Sequence, residues 1–196
     1  MRNVWFISDT HFSHEFVAKT RGYDSADDHD NALVETWNKY VDPGDVVWHL
    51  GDVSITRSPA RWKPWVAKLN GTKHLITGNH DGTFSGSRTA YKDLRHYLEL
   101  FETVQSTARR RHNGVEYLLS HFPYEGDTAG RQVERCDQYR LRDLGVPLVH
   151  GHTHRNRVVT RSSRGTQQIH VGFDAWHRPV HVDEIGRILK RNSEIE

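Results

Sequence analysis

Five short apolar runs in this chain stop at the same kind of place. Residues 4–7 end at Ser8 and Asp9, and residues 46–50 end at Gly51 and Asp52. Residues 75–77 end at Gly78, Asn79 and His80, residues 115–119 at Ser120 and His121, and residues 146–149 lead into Gly151 and His152. Short apolar runs bounded by glycine and polar residues read as buried strands. The intervals between them carry helical spacing, so the chain reads as α/β. Functional groups in α/β sheets sit beyond the carboxyl ends of strands, so five such ends can converge on one spot.

The helical intervals are specific. Residues 28–41 have apolar side chains at 33, 34, 37, 40 and 41. Ser58 and Pro59 make an N-cap and first-turn pair for a helix reaching about Leu69, with Gly71 beyond and Pro64 expected to kink or shorten it. Ala90, Leu94, Tyr97, Leu98 and Phe101 mark a third helix. Asn113-Gly114 between two strand-like runs predicts a hairpin.

A chain of 196 residues suits one domain, taken as residues 1–196. A net charge of +2 does not make nucleic acid the default partner, although it leaves one possible. The single cysteine, Cys136, offers neither an internal disulfide nor a thiolate zinc site, which fits a reducing compartment. The opening "MRNVWFISDT" is too short in apolar residues for a leader or a membrane span, so a cytoplasmic protein with no membrane partner is expected. No stripe readable in the sequence sets an oligomeric state. The unusual count is histidine, at 15. Imidazole is the commonest metal ligand and the usual proton shuttle near neutral pH.

The strand ends gather Asp9, His11, Asp52, Asn79, His80, His121, His152 and His154. Carboxylate, amide and imidazole without thiolate suit divalent ions such as manganese, iron or zinc. The set is too large for one tetrahedral ion. It suits two ions sharing a carboxylate, a centre that clamps the attacking and leaving oxygens of a displacement at phosphorus.

The segments "SDTHF", "LGDVS", "TGNHD", "LSHFP" and "HGHTH" stand in the order and spacing of the calcineurin-like metallophosphoesterases, which the chain resembles from residue 4 to residue 154. The tail "HVGFDAWHRPVHVDEI" looks like the closing segment of the small bacterial and phage members. The resemblance implies a four-layer α/β/β/α sandwich: two mixed β-sheets packed face to face and flanked by helices. It implies that Asp9, His11 and His154 hold one ion, that Asn79, His121 and His152 hold the other, and that Asp52 bridges them. Manganese is the expected ion, with iron, zinc, nickel or cobalt as alternatives. A hydroxide between the ions would attack in line, while His80, oriented by Asp81, assists the leaving oxygen. If the segment is extended, His152 and His154 point to one side and can serve two neighbouring ions. The arginine of the "GDxVDRG" motif of protein phosphatases and diadenosine tetraphosphatases is missing here, where the text is "GDVSIT". That turns the expectation toward a small phosphodiester, such as a 2′,3′-cyclic nucleotide.

His49, His74 and His150 lie in or beside strands and read as hydrogen-bonded core residues. Asp174 reads equally as a partner behind a ligand or as a turn residue. The arginines at 109–111 and at 155, 157, 161 and 164 read first as solvated faces, with a phosphate-tracking patch as the alternative. His14, Arg21, Tyr23, Tyr124 and Trp176 are candidates for contacting substrate. A phosphomonoesterase or nuclease of the same superfamily, and a non-catalytic metal-binding scaffold, are the competing functions.

Overall fold

A computed structural model of the chain describes residues 2–127 and 135–193. The expected strands form at Val4–Ile7 (β1), Val46–His49 (β2), Thr72–Ile76 (β3), Val115–Ser120 (β6) and Leu148–His150 (β7). Five more join them: Thr103–Gln105 (β4), Thr107–His112 (β5), Val159–Arg161 (β8), Gln167–His170 (β9) and Val180–His181 (β10). They make two five-stranded sheets, in the orders β10-β1-β2-β3-β4 and β5-β6-β7-β9-β8. The central strands of each sheet run parallel, and antiparallel strands lie at one edge of the first sheet (β10) and at both edges of the second (β5 and β8), so both sheets are mixed.

Helices form at Glu15–Thr20 (α1), Ala26–Tyr40 (α2), Pro59–Val66 (α3), Ala90–Leu98 (α4), Phe173–Trp176 (α5) and Val182–Ser193 (α6). Helix α2 starts two residues before the sequence pattern because Ser25 caps it, accepting the Asp28 amide at 3.1 Å. Helix α3 stops at Val66, short of Leu69, with Pro64 inside it. Its expected cap fails, since the Ser58 side chain makes no capping bond. Asn113 and Gly114 both take positive φ (50° and 85°), the requirement of a two-residue hairpin turn, and His112 pairs with Val115.

Two apolar cores result. Leu33 and Trp37 of α2, Trp62 and Val66 of α3 and Tyr97 of α4 pack on Ile7, Val47 and Leu75 of the first sheet. Phe6, Trp48 and Ile76 meet Tyr117, Leu119, Val149 and Ile169 between the sheets, where Ile185 and Leu189 of α6 close the core. No helix among the described residues is long and apolar enough to cross a membrane.

The arginines at 109–111 behave individually. Arg109 pairs with Glu116 on the neighbouring strand at 2.6 Å, and Arg110 lies over the Trp48 ring at 5.3 Å.

Candidate metal centre

The loops after β1, β2, β3, β6 and β7 run against one another. Asp9 N donates to Gly51 O at 2.9 Å, His11 N to Asp52 O at 3.1 Å, and Gly151 N to His121 O at 3.0 Å. This proximity demands glycine. A Cβ on Gly51 would sit 2.5 Å from Gly78 N, and one on Gly78 would sit 2.3 Å from Asp52 Oδ1. The backbone is strained where the ligands sit. Asp9, His11, Asp52, His152 and His154 all hold positive φ, between 51° and 73°. Such conformations cost non-glycine residues about 1–3 kcal/mol each and persist where the surroundings over-determine them.

Two groups of donors come together: Asp9, His11 and His154, and Asp52, His121 and His152. Asp52 faces both, with its Oδ2 at 3.8 Å from His11 Nε2 and 3.4 Å from His121 Nε2. Asn79 joins the second group, its Oδ1 at 3.2 Å from His121 Nε2.

The far nitrogens fix the tautomers. His121 Nδ1 donates to Leu50 O at 2.7 Å, His152 Nε2 to Asp127 Oδ2 at 2.7 Å, and His154 Nδ1 to Asp174 Oδ2 at 2.7 Å. In the neutral forms of these three rings the near nitrogens are therefore bare lone pairs, and they converge with His11 Nε2. His152 Nδ1 faces His121 Nε2 at 3.2 Å, and His11 Nε2 faces His154 Nε2 at 3.2 Å. Lone pairs aimed at one another among carboxylates call for cations between them, and this donor set fits two divalent ions. Without an ion, the carboxylates draw positive charge onto the cluster as a proton on His121. Burial alone would lower His121, but the Asp52 carboxylate overrides it and lifts the ring to about 9. Burial alone would raise Asp9, but His154 and His121 hold it near 2. Burial keeps His11 neutral, down at about 3.

The extended presentation of His152 and His154 is not what forms. Both hold positive φ, and each presents its ring from a loop rather than from a strand face. The role expected of Asp81 also changes. Its carboxylate accepts the amides of Gly78 at 2.7 Å, Val53 at 2.9 Å and Asp52 at 3.0 Å. It ties two loops together and does not orient the His80 ring. The group that His80 meets is Asp52, whose Oδ1 accepts the His80 amide at 2.9 Å and whose Oδ2 lies 4.0 Å from Nε2.

Of the expected substrate contacts, His14 reaches the site, with its ring 5.7 Å from that of His11. Arg21 does not. Its guanidinium is buried and bonds both Asp174 oxygens, Asp9 O and Thr10 O. Tyr23 packs its ring edge-on against buried His29, 5.3 Å away. The Tyr124 hydroxyl donates to Val146 O, and the Trp176 indole donates to His170 O, both at 2.8 Å. All four are held by the fold. His49 is a core residue as expected, bonded to Thr10 Oγ1 at 2.9 Å, whereas His74, bonded to Thr103 Oγ1 at 2.9 Å, is only half-buried.

Sequence reasoning missed Asp127 and left Asp174 open. Asp127 also accepts Arg140 Nη2 at 3.1 Å. The candidate ligands His152 and His154 are thus each backed by an aspartate that is itself paired with an arginine. Nothing in the chain near Asp127 marks it, since the residue it serves is 25 positions away.

The calcineurin-like phosphoesterase family profile matches residues 2–156. The chain belongs to this family. As a calcineurin-like phosphoesterase it is a metal-dependent phosphoester hydrolase, and the two donor groups are its candidate metal ligands. It is 43% identical to the gene 66 protein of Mycobacterium phage D29, covering 96% of each chain. It is 39% identical to the gene 66 protein of Mycobacterium phage L5, covering 100% of this chain and 98% of that protein. A crystal structure of a protein of unknown function from Aquifex aeolicus shares the fold, with a TM-score of 0.68 and 23% identity over 96% of this phosphoesterase and 100% of that chain.

Proposed function

We propose that the protein is a phosphodiesterase acting on small nucleotide diesters, with 2′,3′-cyclic nucleotides as the first candidates. Asp9, His11 and His154 would hold one divalent ion, and Asn79, His121 and His152 the other, with Asp52 shared. Manganese is the ion proposed. When bound, the pair supplies Lewis acidity and acidifies water at neutral pH. A cytoplasmic setting belongs to the same proposal and fits the single free cysteine.

The observation that carries the reading is the surround of the ligand cluster. The buried Arg21 guanidinium behind it is spent on Asp174 and main-chain oxygens. The imidazoles of His14 and His80 stand beside the His11 donor. A monoester dianion asks for fixed cations on its free oxygens. A diester carries a single charge and asks for less. The His80 ring is a third exposed, with its side-chain accessibility at 35% while its main chain is tied to Asp52. It can reach a substrate, donate a proton to the departing oxygen and recover it from solvent. Asp81 and the glycines hold the loop that presents it.

The test is hydrolysis of bis-p-nitrophenyl phosphate beside p-nitrophenyl phosphate, with manganese and with chelator, for wild type and Asn79→Ala. Chelator-sensitive diester cleavage that Asn79→Ala abolishes is the expected result. A preference for the monoester would transfer the assignment to a phosphomonoesterase. No turnover with any divalent ion would favour a scaffold.

A further inference from the structure

On the outer face of the second sheet lies a cavity of about 670 Å³. That is within the range of small-molecule sites, about 300–1,000 Å³. Its floor is His150 of β7, Gln168 and His170 of β9 and Thr160 of β8, and one wall is the turn at residues 123–126. The other wall brings Arg155, Arg157 and Arg161, all exposed, to the same space. Thr153 lines it too, between the candidate metal ligands His152 and His154.

The charge is unbalanced. None of the three arginines has a carboxylate partner within ion-pair distance among the described residues. The one acidic lining residue, Glu125, has both oxygens engaged by Ser163, through its amide and its hydroxyl. Two of the guanidinium groups are braced by one main-chain bond each: Arg157 Nε donates to Val159 O at 3.1 Å and Arg161 Nη1 to Gly165 O at 2.7 Å. Their remaining N–H groups are left for a ligand. Beneath them, His150 is 2% exposed, and its Nε2 finds no partner among the described residues. Gln168 is fully used as a floor strut, bonding Glu125 N, Glu125 O and Thr160 Oγ1.

We propose that this cavity binds a phosphate-bearing ligand through Arg155, Arg157 and Arg161. Guanidinium forks match phosphate oxygens in pairs, and a braced fork loses little freedom on binding. The ligand chemistry has two sources, a free nucleotide or the backbone of a short single strand. The cavity adjoins the loop that carries His152 and His154, but none of the candidate metal ligands lines it, and the proposal does not depend on which ester is cleaved at the metal centre.

The experiment is equilibrium binding to the full chain in the presence of chelator, so that the metal centre contributes no ion-dependent affinity. The probes are ADP and a fluorescent single-stranded DNA octamer. The variants are Arg155→Ala/Arg157→Ala/Arg161→Ala, the charge reversal Arg157→Glu, and a control pair away from the cavity, Arg109→Ala/Arg111→Ala, with thermal melts to verify folding. The expected result is binding of at least one probe that weakens by about tenfold or more in the triple variant, falls in Arg157→Glu and is retained in the control pair. Binding of ADP would mark a nucleotide site, and binding of the octamer alone would mark a strand site. Either supports the cavity. No binding of either probe to wild type, affinity unchanged in the triple variant, or an equal loss in the control pair would overturn it.

Discussion

The two halves of the metal centre are built from the same parts and differ in access. In the half made by Asp52, His121 and His152, the three side chains are no more than 2% exposed. In the half made by Asp9, His11 and His154, two are as deeply buried, but the His154 side chain is 39% exposed. The supports differ likewise. Asp127 and Arg140 behind His152 are nearly closed to solvent, at 7% and 2%. Asp174 behind His154 is 19% exposed, although its Arg21 partner is buried. The difference teaches a division of labour. One half could fix an ion rigidly, and the other leaves the His154 edge open to solvent.

The largest effect expected from this contrast is on the ligands. His121→Ala should abolish manganese-dependent turnover, because it removes a fully buried donor held in place by Leu50 O, at a position closed to bulk solvent. His154→Ala should keep measurable turnover that rises with added manganese, because solvent reaches the vacated position. Equal, irrecoverable losses would break the comparison. The next effect concerns the supports. Asp127→Asn should weaken the affinity for the second ion by about 100-fold and Asp174→Asn that for the first by about tenfold, the range for groups that orient a ligand. Calorimetric titration with manganese reads both. A larger loss in Asp174→Asn would reverse the ranking and point to its clamp on Arg21 and the Asp9 loop.

A smaller and more selective effect belongs to His80, which sits at the open edge. His80→Ala should lower cleavage of diesters with an alkoxide leaving group by about 10²–10⁴-fold, and of p-nitrophenyl esters much less, since p-nitrophenolate leaves without a proton. Kinetics on the two substrate types decide this. A uniform loss would assign His80 to binding rather than to proton transfer.

The smallest effect is a control far from the ions. Burial would raise Asp45, but the Trp5 indole and the amides of Asp42 and Asn3 hold it below its ordinary 3.8. A depressed carboxyl stabilises the fold above its unfolded pKa and loses that contribution as pH falls through the folded value. Asp45→Asn should therefore cost about 1 kcal/mol near neutrality, with the gap to wild type closing at acid pH. Thermal melts across pH measure it, and metal binding should not change.

What the sequence could show follows from distance along the chain. The strands ending in Asp, Asn or His were legible because each run and its ligand are neighbours. Strand β9, central in the second sheet, was not. Its text is "QQIH", and Ile169 is its only residue in the apolar core between the sheets. Helix α6 was unread although Ile185 and Leu189 close that core. Side-chain direction was the weakest inference. Arg21, Tyr124 and Trp176 lie near ligand motifs in the chain yet turn to Asp174, Val146 and His170. The left-handed backbone at His152 and His154 replaced the extended one because tight apposition of loops, not strand pairing, sets the ligands there.

The central claim is that Asp52 joins two donor groups into one centre. Electron paramagnetic resonance of a manganese titration tests it most directly. The account predicts two ions per chain with an exchange-coupled signal, reduced to an uncoupled one in Asp52→Ala. A single ion per chain, or two ions whose signal is uncoupled in the wild type, would contradict it.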